Sequence, residues 1–432
     1  MAKRLSNTSA DFNAEFATML AEKREVSTSV SDAVEDIIRQ VQRDGDQALV
    51  RLSKKFDDID LSQLGLRISH DEITTAVAEC DEETLSALKL AHDRIATHHA
   101  RQLPKDDHYI DEFGVTLGGR WTAVESVGLY VPGGLASYPS SVLMNAVPAK
   151  VAGVPRIVMV VPAPKGALNP MVLVAAHIAG VEEIYRVGGA QAVAALAYGT
   201  QSIAPVVKIV GPGNAYVAAA KRLVFGKVGI DSIAGPSEVL VIADGNNNPH
   251  WVAADLLAQA EHDTAAQSIL MTNDAAFADA VEAAVDEQLT SLSRRDIAGE
   301  SWNAFGRIIV LDSLENAPQL VDKIAPEHLE ILTHDADAMA ARIRNAGAIF
   351  LGPHTPEVIG DYVSGSNHVL PTARSARFSS GLGTLDFMKR TSILKLNKSS
   401  LQHLGPAAMT LAGVEGLDGH ARSVSIRLDV KS

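Results

Sequence analysis

Residues 230–262 decide the reading of this chain: I-D-S-I-A-G-P-S-E-V-L-V-I-A-D over 230–244, closing on D-L-L-A-Q-A-E-H over 255–262. A short turn containing Gly235, Pro236 and Ser237 precedes the apolar run 239–243, which reads as a buried strand, and the closing segment reads as a helix. Gln259 and His262 are three residues apart, so on a helix their side chains leave one face. Polar groups held at strand ends and at a helix end are a common way to build a site. Alone, Q-x-x-H reads more readily as a solvated helix face, and the rest of the chain supplies the context.

Outward from this unit the alternation continues. V-G-L-Y-V-P-G-G (127–134), R-I-V-M-V-V-P-A-P (156–164), E-E-I-Y-R-V-G-G (182–189) and V-V-K-I-V-G-P-G (206–213) are strand candidates that end in Gly or Pro, with helical stretches near 140–152, 168–179 and 190–198. A second series follows Ser237, with strands near 239–243, 267–272, 306–311, 328–333 and 348–352. Strands alternating with helices imply βαβ units and parallel sheets covered on both faces. Glycines at the carboxyl ends of such strands stand where ligands usually bind. Residues 1–122 read as mostly helical and amphipathic, through 34–52 and 85–99. His92, His98 and His99 in the second stretch read as a solvated helix face, since no acid stands at ligand spacing. After Gly381 the chain reads as an extended tail with moderate helical periodicity from Ser400 to Gly413. Such a tail must pack on something, and a second subunit is one candidate.

A chain of 432 residues exceeds a single core of ~250–300 residues, so at least two domains are expected. A net charge of −14 argues against a general nucleic-acid or anionic-membrane binder. One cysteine, Cys80 in A-E-C-D-E-E, excludes an intrachain disulfide and any multi-thiolate metal site, and its acidic neighbours disfavour a thiolate. The N-terminus carries no apolar run of signal-peptide length, and no segment approaches the ~18 apolar residues of a membrane span. A cytoplasmic enzyme is the expectation.

Three groups of residues carry chemistry. The turns P-G-G (132–134), G-G-A-Q-A (188–192) and G-P-G-N (211–214) follow strand candidates, where backbone amides and helix N-termini can meet a phosphate. None is a G-x-G-x-x-G, so nucleotide binding and ordinary sheet-to-helix turns stay equally open, and a dinucleotide would bind loosely or atypically. In A-P-E-H-L (325–329), Glu327 beside His328 suits acid/base work, provided a loop conformation turns both into one pocket. In P-E-V-I-G-D-Y-V-S-G-S-N-H-V-L-P (356–371), Asp361 and His368 are nitrogen and oxygen donors suited to zinc or another divalent ion, and V-E-G-L-D-G-H (414–420) adds Glu415 and His420.

Together these strings, in order along nearly the whole chain, resemble the histidinol dehydrogenase family. The most specific match is I-D-S-I-A-G-P-S-E followed by D-L-L-A-Q-A-E-H. The resemblance implies an α/β fold with two incomplete Rossmann-like domains with parallel sheets, a helical N-terminal arm and an extended C-terminal tail, assembled as a homodimer with zinc and NAD. By residue number it implies an arm at 1–25, a main domain of 26–129 and 237–381, a cofactor-binding domain at 130–236 and a dimerising tail at 382–432. It implies zinc ligation by Gln259, His262, Asp361 and, from a partner's tail, His420; Gln is an uncommon zinc ligand. Glu327 and His328 match the acid/base pair. Ser237, His368 and Glu415 match substrate contacts, together with the metal ligands and His328, while Tyr130, Gln191 and Asn214 match cofactor contacts. The implied reaction is a four-electron oxidation of L-histidinol to L-histidine. Two alternatives stand beside it: a diverged enzyme oxidising a sulfonated diol, for which Arg374, Arg377, Lys389 and Arg390 lie nearby, and a non-enzymatic nucleotide- or metal-binding dimer.

Overall fold

The computed structural model describes residues 2–22, 28–133, 138–233 and 235–429. Residues 23–25 of the expected arm, Gly134 of the first glycine turn, Ala234 and the last residues of the tail lie outside them. The strands are β1 (Lys3–Ser6), β2 (Asp107–Ile110), β3 (Thr116–Ala123), β4 (Ser126–Tyr130), β5 (Arg156–Val160), β6 (Glu183–Tyr185), β7 (Lys208–Val210), β8 (Gly229–Ile230), β9 (Glu238–Ala243), β10 (Gln267–Thr272), β11 (Arg307–Val310), β12 (His328–Leu332), β13 (Ala348–Leu351) and β14 (Met388–Lys395). Two parallel sheets form, in the orders β1-β11-β10-β9-β12-β13 and β6-β5-β4-β7-β8, and β14-β3-β2 make a small antiparallel sheet.

Every residue of β9 and β10 is buried. Successive side chains point to opposite faces: Val239, Val241 and Ala243 enter the core on one side, Leu240 and Ile242 the core on the other. In the second sheet Ile157 and Met159 face one core and Val158 and Val160 the other. These continuous apolar runs, covered on both faces, follow the expected series closely.

Four expectations need correction. Helices Thr28–Asp44 and Asp46–Asp57 place Val34, Ile37, Val41 and Leu49 in the core of the five-stranded sheet with Tyr130 and Val158. Helices His70–Glu79 and Glu82–Ala100 place Ile73 and Ile95 on its other side with Leu129 and Val142. Residues 28–100 therefore pack with the five-stranded sheet, not in a main domain built on the six-stranded one. The crossover helices explain this. Gly189–Tyr198 is buried from Ala190 to Ala197, and Pro139–Val151 from Ser141 to Ala149. Helices apolar all round need a second layer over them, and the N-terminal helices supply it.

The arm is likewise part of a domain: β1 is the edge strand beside β11, and helix Phe12–Ala21 buries Phe12, Phe16 and Met19. The segment read as helical contains β2 and β3, and β14 of the tail pairs along β3 from Met388↔Ala123 to Lys395↔Thr116. His99 is buried, not solvated, with Nδ1 2.8 Å from Gln102 Oε1. Beyond β14, helices Lys398–Val414 and Asp418–Ser425 pack chiefly on each other and leave Leu411, Val414 and Ile426 exposed. Among the described residues no helix is long and apolar enough to cross a membrane.

Candidate active site and metal centre

The amino ends of β9 and β12 are adjacent, with His328 opposite Val239. Ala325 adopts a left-handed conformation (φ 49) that ends helix Ala317–Ile324 and turns the chain into Pro326–Glu327. Glu327 thus precedes the strand and escapes its alternation. Its Oε2 accepts the Glu238 N–H at 3.0 Å and lies 3.8 Å from His328 Nδ1, so both side chains face one pocket.

His328 Nδ1 is 3.1 Å from the Glu238 carbonyl oxygen, which only accepts, so Nδ1 carries a proton. Nε2 points at Asp361 Oδ1, 3.6 Å away, and makes no hydrogen bond among the described residues. Burial pushes the imidazole's pKa down, but Glu357, Glu327 and Asp361 outweigh it and the pKa rises well above its usual value. Burial raises Glu327 to about 7 against the pull of His328. Asp361 goes the other way: burial opposes its charge, yet His328, His368 and His262 hold it below the usual carboxylate range.

The donor residues come from two helices. Asn248 caps His250 N–H and Pro249 opens helix Pro249–Ala260, which ends just past Gln259. Gln259 is fully buried, and neither its amide oxygen nor its nitrogen has a hydrogen-bond partner among the described residues. An orphaned buried amide of this kind costs about 1–3 kcal/mol unless a ligand engages it. His262 lies in the following turn, open to solvent and within electrostatic reach of Asp361. An amide oxygen, an imidazole and a carboxylate fit a divalent ion that accepts nitrogen and oxygen, such as zinc. They fall short of a full set: among the described residues no three His, Cys, Asp or Glu side chains form a metal cluster. Glu415 ends helix Lys398–Val414 and His420 lies in Asp418–Ser425; both are exposed, and the chain does not bring them to Asp361.

His368 is tied at both nitrogens, Nδ1 donating to the Asp361 carbonyl oxygen at 3.0 Å and Nε2 accepting from Ser141 Oγ at 3.2 Å. Ser237 is half-buried just before β9. A cavity of about 400 Å³ lies between helix Glu82–Ala100, the start of helix Pro139–Val151 and Tyr362–Val363, and Asp361 does not line it.

Tyr130, Gln191 and Asn214 gather at the carboxyl edge of the five-stranded sheet, and Tyr130 and Asn214 have tasks inside the chain. The Tyr130 hydroxyl accepts the Gly189 N–H at 3.0 Å, and burial lifts its pKa to about 12. Asn214 caps helix Ala215–Val224 through Tyr216 and Val217 N–H. Gln191 is buried, and its Nε2 has no hydrogen-bond partner among the described residues. Gly211 (φ +111) must be glycine, because a Cβ there would stand 2.2 Å from the Tyr130 carbonyl oxygen. A cleft of about 300 Å³ beside Pro132, Gly133, Pro162 and Asn169 opens at the ends of β4 and β5. Sequence reasoning missed Glu238, Glu330, Glu357 and Asp255 around His328; Glu330 two residues on, and Asp255 and Glu357 one turn before Gln259 and Asp361, were the available signals.

Two parallel sheets with their crossover helices and a buried acid/base pair define a Rossmann-like α/β enzyme. The histidinol dehydrogenase family profile matches residues 20–428. The chain is 66% identical over 430 residues to histidinol dehydrogenase of Brucella suis, covering all of both chains. It is also 66% identical over 432 residues to that of Agrobacterium fabrum, again covering both completely. A crystal structure of histidinol dehydrogenase from Elizabethkingia anophelis superposes with a TM-score of 0.94 at 37% identity, covering 99% of this chain and 98% of that one. The chain belongs to the histidinol dehydrogenase family.

Proposed function

We propose that this chain is an NAD-dependent, zinc-dependent oxidoreductase that converts L-histidinol to L-histidine by two successive two-electron oxidations. Family membership and full-length identity of 66% support the substrate. The observation that carries the chemistry is the buried Glu327–His328 pair, 3.8 Å apart and 3.6 Å from Asp361.

Gln259, His262 and Asp361 would hold zinc, with His420 of the partner subunit completing the set. When bound, zinc would fix the imidazole and amino nitrogens of histidinol, and NAD would accept two electrons in each of two turns. The rest falls to this chain's side chains. With Nδ1 fixed as donor to Glu238 O, His328 uses Nε2 to take the alcohol proton as the carbon is oxidised, and its raised pKa means that this nitrogen must first give up the proton it holds. Glu327, once ionised, takes a proton from water as it adds to the aldehyde, and the hydrate is oxidised to the acid. Glu415 of the partner subunit would accept a hydrogen bond from the substrate's amino group. Tyr130, Gln191, Asn214 and the neighbouring cleft would receive the dinucleotide, and Ser237 and His368 would border the substrate. Cys80 takes no part: its Sγ packs 3.6 Å from Met171 Sδ. The absence of a membrane-crossing helix among the described residues supports cytoplasmic residence.

Purified protein given histidinol and NAD is expected to form two NADH per substrate consumed. Chelation is expected to abolish turnover and leave the circular dichroism spectrum intact. A sulfonated diol oxidised faster than histidinol, or full activity in metal-free protein, would defeat this reading.

A further inference from the structure

A second set of carboxyl groups, which the mechanism above does not use, lies against the site. Asp255 stands one helical turn before Gln259, Glu357 one turn before Asp361, and Glu330 two residues beyond His328 on β12. Spacings of four on a helix and two on a strand keep side chains on one face. Each of these acids is therefore carried on the same element, and on the same face, as a site residue.

The three meet at Glu330. It is fully buried, and its Oε1 accepts the Glu357 N–H at 2.6 Å, at the first residue of helix Glu357–Tyr362. Glu357 is itself buried, with Oε1 3.9 Å from His328 Nδ1. No nitrogen or hydroxyl donor among the described residues reaches Glu330 Oε2. The carboxyl of Asp255 couples electrostatically to that of Glu330. Two ionised carboxylates held together repel, so one of the pair keeps a proton. Burial favours that state, lifting Asp255 to about 6 and Glu330 well above the usual range.

Helix Glu357–Tyr362 has six residues, too few to hold itself in place. Glu330 ties its first N–H, while Arg94 binds the Val363 carbonyl at 2.5 Å and the Ser364 carbonyl at 3.0 Å just past its end. Asp361 is thus clamped between the two ties.

We propose that Glu330 is a positioning residue that, through its bond to Glu357 N–H and its place beside Asp255, locks the helix bearing Gln259, the helix bearing Asp361 and the strand bearing His328 into one register. This rests on the reading of Gln259, His262 and Asp361 as metal donors. An acid here does what an apolar side chain cannot: it accepts from Glu357 N–H and can share a proton with Asp255.

Zinc affinity of the metal-stripped full-length protein, measured by competition with a chromophoric chelator, tests it. Glu330→Gln offers a carbonyl to Glu357 N–H and an NH₂ to Asp255, and zinc affinity is expected within about twofold of native. Glu330→Leu fills the space but makes neither bond, and zinc affinity is expected to fall about 10–100-fold in a folded protein. A folded Leu variant with native affinity, or a Gln variant as weak as Leu, overturns the proposal. Should the Leu variant not fold, Asp255→Ala is expected to lose zinc in the same way and Asp255→Asn to retain it, and equal affinities for these two overturn it as well. His262→Ala serves as the control: native zinc affinity there would mean that the metal reading itself is wrong, whereas its loss alongside native binding in Glu330→Leu would sink only this inference.

Discussion

Glu327 holds its carboxyl where ionisation is costly, and that sets its working range. Below about pH 7 it keeps its proton and offers water no base; above that value it can accept one. The rate of aldehyde oxidation is therefore expected to climb as pH rises through about 7. Folding has the opposite sign: between the usual 4.5 and about 7 the folded state alone keeps this proton, so the group's contribution to stability declines as pH rises through that window. Glu327→Gln keeps the volume and loses the base. Stopped-flow NADH formation is expected to show a near-native first oxidation and a second slowed by about two to four orders of magnitude, without the pH-dependent rise. Complete oxidation at the native rate would show that another group activates water. The adjacency of Glu327 and His328 was legible as a string. Their convergence was not, because it depends on the backbone at Ala325 and on both main-chain groups of Glu238. Gln259 came from resemblance alone, since nothing in Q-x-x-H announces an amide left without partners.

At the scale of elements, the turn into β12 concentrates the strain. Ala325 is fully buried and left-handed, a conformation costing an L-residue roughly 1–2 kcal/mol. Ala325→Gly relieves that strain and loses a buried methyl of about 0.8 kcal/mol, so urea unfolding is expected to place it close to native. Ala325→Val adds a β-branched side chain where it fits neither the backbone nor the core, and is expected to cost about 2–3 kcal/mol. Equal stabilities for Val and Ala at this position would mean the turn is not strained. The strand series from Val127 to Leu351 was readable because parallel strands buried on both faces are unbroken apolar runs. β2, β3 and β14 were not readable: all of β2 is exposed, and β14 is mostly exposed and polar, so neither carries a buried pattern. The allocation of residues 28–100 failed for another reason. An amphipathic helix declares which face it buries but not which sheet it buries it on.

Across the whole molecule, the domain of the six-stranded sheet would supply acid and base at the amino ends of β9 and β12 and the proposed cation donors from its helices, and the five-stranded sheet has a cleft at its carboxyl edge. The tail helices stand apart with His420 exposed and with apolar residues such as Val414 in the open, a surface suited to a second copy of the chain. A site lacking one donor and a tail carrying an unused one suggest that each chain completes its neighbour. Co-expression of Asp361→Ala and His420→Ala chains puts this to the test. Each variant alone is expected to be inactive. In a statistical mixture half the dimers are mixed, and each of these holds one intact site of two, so about a quarter of native activity is expected. A mixture no more active than its parents, with mixed dimers demonstrably formed, would contradict a centre shared between subunits.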